Sequence, residues 1–259
     1  MSMCKRKGIA IHGISEGGRV GRMGFSDEFC GALKSWAAPM MDDETPWDVE
    51  IDEVIWAGLA QKLAPPLSSL PDVAKMVVDY LVDVVTYARN RREIMMHCEA
   101  QVLSLGPGRP MIAHSLGSVI AIDLVTKWLI EGRFAGAPET WPIAGLVTIG
   151  SPLGIDVPLI DALGFTDRAD VLAALPEELA LERPWRWISI TDPNDVVVQG
   201  ELWDAVTGRR SPRLEAHEGY RRLGVDHLPD IDTGGIISAH GGYWTHASVA
   251  QAMLELLTQ

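Results

Sequence analysis

The chain alternates short apolar runs with stretches of helical periodicity, and that alternation decides its fold class. The runs are residues 8–11, 47–56 (which alternates at first), 110–113, 143–149 and 185–191. A strand that is apolar on both faces is one covered by helices on both sides, which is how parallel strands are buried. Between the runs, Phe29, Leu33, Trp36, Ala37 and Met40 repeat at helical spacing behind Ser26, a good capping residue. The same spacing holds over residues 72–105 with a break at Asn90, over 117–130, and over 243–257. Residues 153–184 are irregular apart from a weak helical pattern at 171–181, and residues 199–242 are polar and rich in turn formers. The expectation is one α/β domain over 1–259, with a mostly parallel central sheet and helices on both faces.

Composition narrows the partners. With 22 Lys+Arg against 35 Asp+Glu the net charge is −13, so the surface lacks the basic field that nucleic acid requires. No apolar run approaches the roughly 18–20 residues of a membrane span, and the greasiest stretch, residues 76–85, is cut by Asp79 and Asp83. Lys5-Arg6-Lys7 precedes only a short apolar segment containing His12, which argues against a signal peptide. Cys4, Cys30 and Cys98 have no metal-ligand spacing and read as free thiols in a reducing cytoplasm.

The chemistry concentrates in Ala113-His114-Ser115-Leu116-Gly117-Ser118, set directly between an apolar run and a helix. A nucleophilic serine on a sharp strand-to-helix turn needs small residues two before and two after it, so that strand and helix can approach closely. The turn also places Ser115 at a helix N-terminus, where backbone N–H groups favour a developing oxyanion. The bland alternative is that Ser115 is only a helix cap.

With this patch, Ile11-His12-Gly13-Ile14, Thr148 to Pro152, and Thr191 to Val197 with the later histidines, the chain resembles the α/β-hydrolase superfamily, in particular compact bacterial lipases and esterases. Ala113 departs from the commoner glycine but is small enough for the same packing. The resemblance implies an oxyanion hole made by the backbone N–H groups of Ile14 and Leu116. It implies the order serine, acid, histidine, and an acid at the end of the loop after a later strand. That favours Asp195 over Asp192, which opens a turn before Pro193. The histidine should precede the last helix, and His240, flanked by Ala239 and Gly241-Gly242, fits best. His246 is expected on the inward face of the closing helix, His217 and His227 in solvent, His12 as a brace of its loop, and His114 and His97 as packing or surface residues. A zinc site built from the later histidines with Asp226, Asp230 and Asp232 lacks ligand spacing on a firm element.

The resemblance therefore implies a serine esterase or lipase-like hydrolase with the triad Ser115, Asp195 and His240, needing no metal or organic cofactor. Its substrate would be a small-molecule or lipid ester, with residues 153–184 as a short cap or lid. A thioesterase or acyltransferase would use the same triad, and a non-catalytic binding module could share the fold.

Overall fold

The structure is a computed structural model that describes residues 4–13, 26–38, 47–56, 72–134, 137–152, 185–195, 197–198, 225–228, 231–235 and 238–259. Among the described residues six strands form one sheet in the order β2-β1-β3-β4-β5-β6, and every pairing is parallel. They are β1 (Cys4–Ile11), β2 (Trp47–Val54), β3 (Arg109–His114), β4 (Ile143–Ile149), β5 (Arg186–Ile190) and β6 (Val225–Leu228). The helices are α1 (Asp27–Ala37), α2 (Asp72–Ser104), α3 (Leu116–Ile130), the short α4 (Ala239–Gly242) and α5 (Ala247–Thr258). This is the α/β class expected from the sequence, and it is consistent with an α/β-hydrolase-like fold.

Alternation along each strand builds two cores. Ile9 and Ile11 of β1, with Met111 and Ala113 of β3, face Ile94, Cys98 and Val102 of α2 and Val119 and Ile122 of α3. Their neighbours Ala10 and Ile112 turn the other way, toward Phe29 and Leu33 of α1 and Val249 and Met253 of α5. Each fully buried Leu, Ile, Val, Phe or Met contributes about 1.5–3 kcal/mol. Helix α3 is buried almost all round, so its one buried carboxylate, Asp123, needs partners. It has them on α2: the Tyr87 hydroxyl donates to Asp123 Oδ2, and Arg91 Nε does so at 2.8 Å. Helix α2 is kinked at Asn90 (φ −114°, ψ 18°), where the sequence shows its break.

Three local expectations are corrected. Ser26 stands at the α1 N-cap, but its hydroxyl donates to Glu53 Oε1 (2.7 Å) instead of capping the helix. Trp36 is half exposed, outside the α1 core face. Strand β6 lies inside the polar stretch 199–242. Among the described residues it is an edge strand of four residues paired on one side, so it needs no apolar run to announce it.

Among the described residues no helix is long and apolar enough to cross a membrane. Cys30 and Cys98 carry free thiols, and burial pushes that of Cys98 up to about 12. Residues 153–184, the expected cap, lie outside the described residues.

Candidate active site

Because all six strands run the same way, their C-terminal ends meet along one sheet edge. The chain order reverses between β1 and β3, and at such a switch point the diverging loops leave a crevice. His12 and Gly13 follow β1, Ser115 follows β3, Gly150 and Ser151 follow β4, and Asp192 and Asp195 follow β5.

Ser115 joins β3 to α3 at φ 53° and ψ −130°, and it is the one non-glycine residue with positive φ among those described. A side chain held there costs on the order of 1–3 kcal/mol and persists only when its surroundings fix it. They do: the Ser115 N–H donates to the Ile149 carbonyl (3.0 Å), while the Ser115 carbonyl accepts the Ser118 N–H (2.9 Å) and the Ser118 hydroxyl. The β1 loop presses against this turn. A Cβ on Gly13 would lie 2.4 Å from Ser115 Cβ and 2.7 Å from Leu116 N, and one on Gly117 would lie 2.7 Å from the Ile11 carbonyl oxygen. Only glycine permits that approach, as the elbow pattern requires. The Trp56 indole N–H holds the loop by donating to the His12 carbonyl (2.6 Å).

His240 and Asp195 form a buried pair. The Nδ1 of His240 lies 2.8 Å from Asp195 Oδ2. A carboxylate oxygen accepts, so the proton of this bond sits on Nδ1. Asp195 Oδ2 also accepts the Tyr243 hydroxyl (3.0 Å), and Oδ1 accepts the Val197 N–H (2.9 Å). The buried Ser115 Oγ and His240 Nε2 have no hydrogen-bond partner among the described residues. One is a hydroxyl at a strained turn and the other a ring nitrogen of a histidine held by a carboxylate, and the two are not hydrogen-bonded to each other.

Asp192, the competing acid, is turned elsewhere. Its Oδ2 accepts both the N–H and the hydroxyl of Thr233 (2.6 Å each), and its Oδ1 accepts the Asn194 N–H (2.7 Å). His240 lies in the short helix α4, not on an open loop. His246 is corrected: it is the N-cap of α5, half-buried, and its Nδ1 accepts the Ser248 N–H (3.2 Å). His97 is exposed on α2, with Nε2 3.0 Å from the Ile55 carbonyl. His12 braces through its carbonyl, while its ring lies edge-on to His114 (5.1 Å) and stacks on Trp244 (5.9 Å). Burial, with His240 nearby, lowers His12 to about 3 and holds His114 well below 6.5, so both are neutral near pH 7.

Leu116 opens α3, where its N–H belongs to the first turn. Ile14, the other expected oxyanion donor, lies outside the described residues, as does His217. Among the described residues no group of three or more His, Cys, Asp or Glu could hold a metal ion. Sequence reasoning missed Tyr243 and Gly150 as members of this site. Tyr243 reads as the first residue of a helix, and Gly150 as the end of a strand.

No family model matches the chain, and no curated protein matches it. A solved structure to which it is similar is phospholipase PlaB from Legionella pneumophila, at 12% identity and a TM-score of 0.30. That similarity covers 84% of this chain and 45% of the other, so the chain spans less than half the length of that protein.

Proposed function

We propose that the protein is a serine hydrolase that cleaves a carboxylic ester through an acyl-enzyme on Ser115. Ser115 Oγ attacks the acyl carbon while its proton passes to His240 Nε2. The imidazolium is stabilised by Asp195 and returns the proton to the leaving alcohol. Water then repeats the sequence on the acyl-enzyme and releases the acid. The Leu116 N–H, at the N-terminus of α3, is the assigned donor to the oxyanion, with Ile14 as its partner. The substrate class is a small-molecule or lipid ester, and residues 153–184 are assigned to a cap that sets acyl preference. The chemistry draws on no cofactor, and the assigned compartment is the cytoplasm.

One observation carries this reading: a serine at φ 53° shares a sheet edge with a carboxylate-oriented histidine, and among the described residues neither the serine hydroxyl nor the histidine Nε2 has a hydrogen-bond partner. The test is labelling with a fluorophosphonate together with turnover of p-nitrophenyl esters from acetyl to palmitoyl. The wild type should label and turn over, and Ser115→Ala should lose turnover by about 10⁴–10⁶. Labelling that persists in Ser115→Ala would overturn the assignment.

A further inference from the structure

We infer that Tyr243 is a positioning residue: its hydroxyl holds the Asp195 carboxylate at the angle where it receives the His240 Nδ1–H. The inference rests on the triad assigned above, but its geometry stands separately. The acid and the base come from segments 45 positions apart, and something must set one against the other. Tyr243 lies three residues beyond His240, in the 3₁₀ turn Tyr243–Thr245, and reaches across to the acid's segment.

The direction of its hydrogen bonds follows from chemistry. The Asp192 N–H can only donate, and it does so to the Tyr243 oxygen at 2.9 Å. The hydroxyl donates its own proton to Asp195 Oδ2, a carboxylate oxygen that accepts, at 3.0 Å. With the Val197 N–H on Oδ1, both carboxylate oxygens are anchored and the plane of the group is set.

The ring has little freedom. Tyr243 is fully buried, its Cε2 lies 2.8 Å from where a Gly150 Cβ would stand, and its centroid is 6.0 Å from that of His114. The Asp192 backbone that feeds it is itself tied down. The Asp192 carboxylate accepts the Thr233 N–H, and the one Thr233 hydroxyl proton is shared between that carboxylate (2.6 Å) and the carbonyl of Ala239, the residue before His240 (2.8 Å). The hydroxyl of Tyr243 is thus one link in a closed brace between the two segments.

The test is Tyr243→Phe in the full chain, which removes one oxygen. With p-nitrophenyl butyrate, kcat should fall about ten- to a hundredfold, with KM within about twofold. Among the described residues the titratable groups around His240 are Asp195, Tyr243, His12 and His114. Without the hydroxyl proton the carboxylate presents more of its charge to the imidazolium, so the acid limb of the kcat/KM profile should move to higher pH. The same displacement should appear in an NMR titration of His240 in the Ser115→Ala background, where turnover plays no part. That readout separates failure of this inference from failure of the hydrolase reading. An unchanged titration overturns the inference, whatever happens to activity. If Tyr243→Phe does not fold, a ring-fluorinated tyrosine at 243 is a stronger donor and must move the titration to lower pH; an unmoved titration overturns it equally.

Discussion

His114 and His240, 126 residues apart, are joined by a 2.7 Å hydrogen bond in which the His114 ring donates to the His240 carbonyl. A carbonyl only accepts, so the proton of neutral His114 sits on Nε2. The residue before Ser115 thereby holds the backbone of the candidate base, and the two ring centroids are 4.6 Å apart. The histidine expected only to pack also joins the two halves of the site.

That cluster makes stability sensitive to acid. Folded His12 takes a proton only near pH 3, and burial holds His114 well below 6.5, whereas both protonate near 6.5 in the unfolded chain. Below pH 6.5 the unfolded state therefore binds more protons, and stability declines as pH falls toward 3. The slope is about 1.4 kcal/mol per pH unit for each histidine. Urea midpoints at pH 7 and pH 5 should differ accordingly, and His114→Gln should remove about half of the difference. Equal wild-type midpoints at the two pH values would contradict the burial argument.

The two aspartates should separate by phenotype. Asp195→Asn leaves the imidazolium without its charge partner and should lower turnover by about 10²–10⁴. Asp192→Asn weakens the hold on Thr233 and should cost about 1–3 kcal/mol of stability, with a much smaller loss of turnover. Purified variants measured for both quantities would reveal a reversed ranking at once.

His246 and His240 should behave differently as well. His246→Ala removes the cap of α5 and should cost about 0.5–2 kcal/mol while fluorophosphonate labelling continues. His240→Ala should abolish labelling, because Ser115 loses its base. Normal labelling of His240→Ala would move the base elsewhere.

Gly150→Ala tests how tightly the acid–base pair is packed. At φ 53° a side chain costs about 1–2 kcal/mol. The new Cβ would lie 3.1 Å from Asp195 Oδ2 and 3.3 Å from His240 Nδ1, which adds about 1–3 kcal/mol of overpacking. Urea unfolding should show the combined loss, and labelling should slow even at temperatures where the variant is folded. Wild-type labelling in a folded but destabilised variant would show that the pair tolerates displacement.

The sequence by itself determined the α/β class, five of the six strands among the described residues, and the serine turn. Those features are written in local patterns: apolar runs for buried strands, helical spacing, and small residues around Ser115. It also pointed to Asp195 and His240, though only through chain order and a resemblance to one superfamily. What tertiary structure decided is every relationship that spans segments. Asp192 and Asp195 are three residues apart in one loop, and partners reached through the fold, Thr233 for the first and His240 with Tyr243 for the second, tell them apart. His246 fits a helical repeat, yet an extended backbone at ψ 135° makes it a cap. Strand β6 is legible only from its partner β5, since an edge strand takes its structure from ladder hydrogen bonds more than from its own apolarity. Tyr243 becomes part of the site because a hydroxyl donor matters only where an acceptor has been brought to meet it, and that acceptor arrives from 48 residues away.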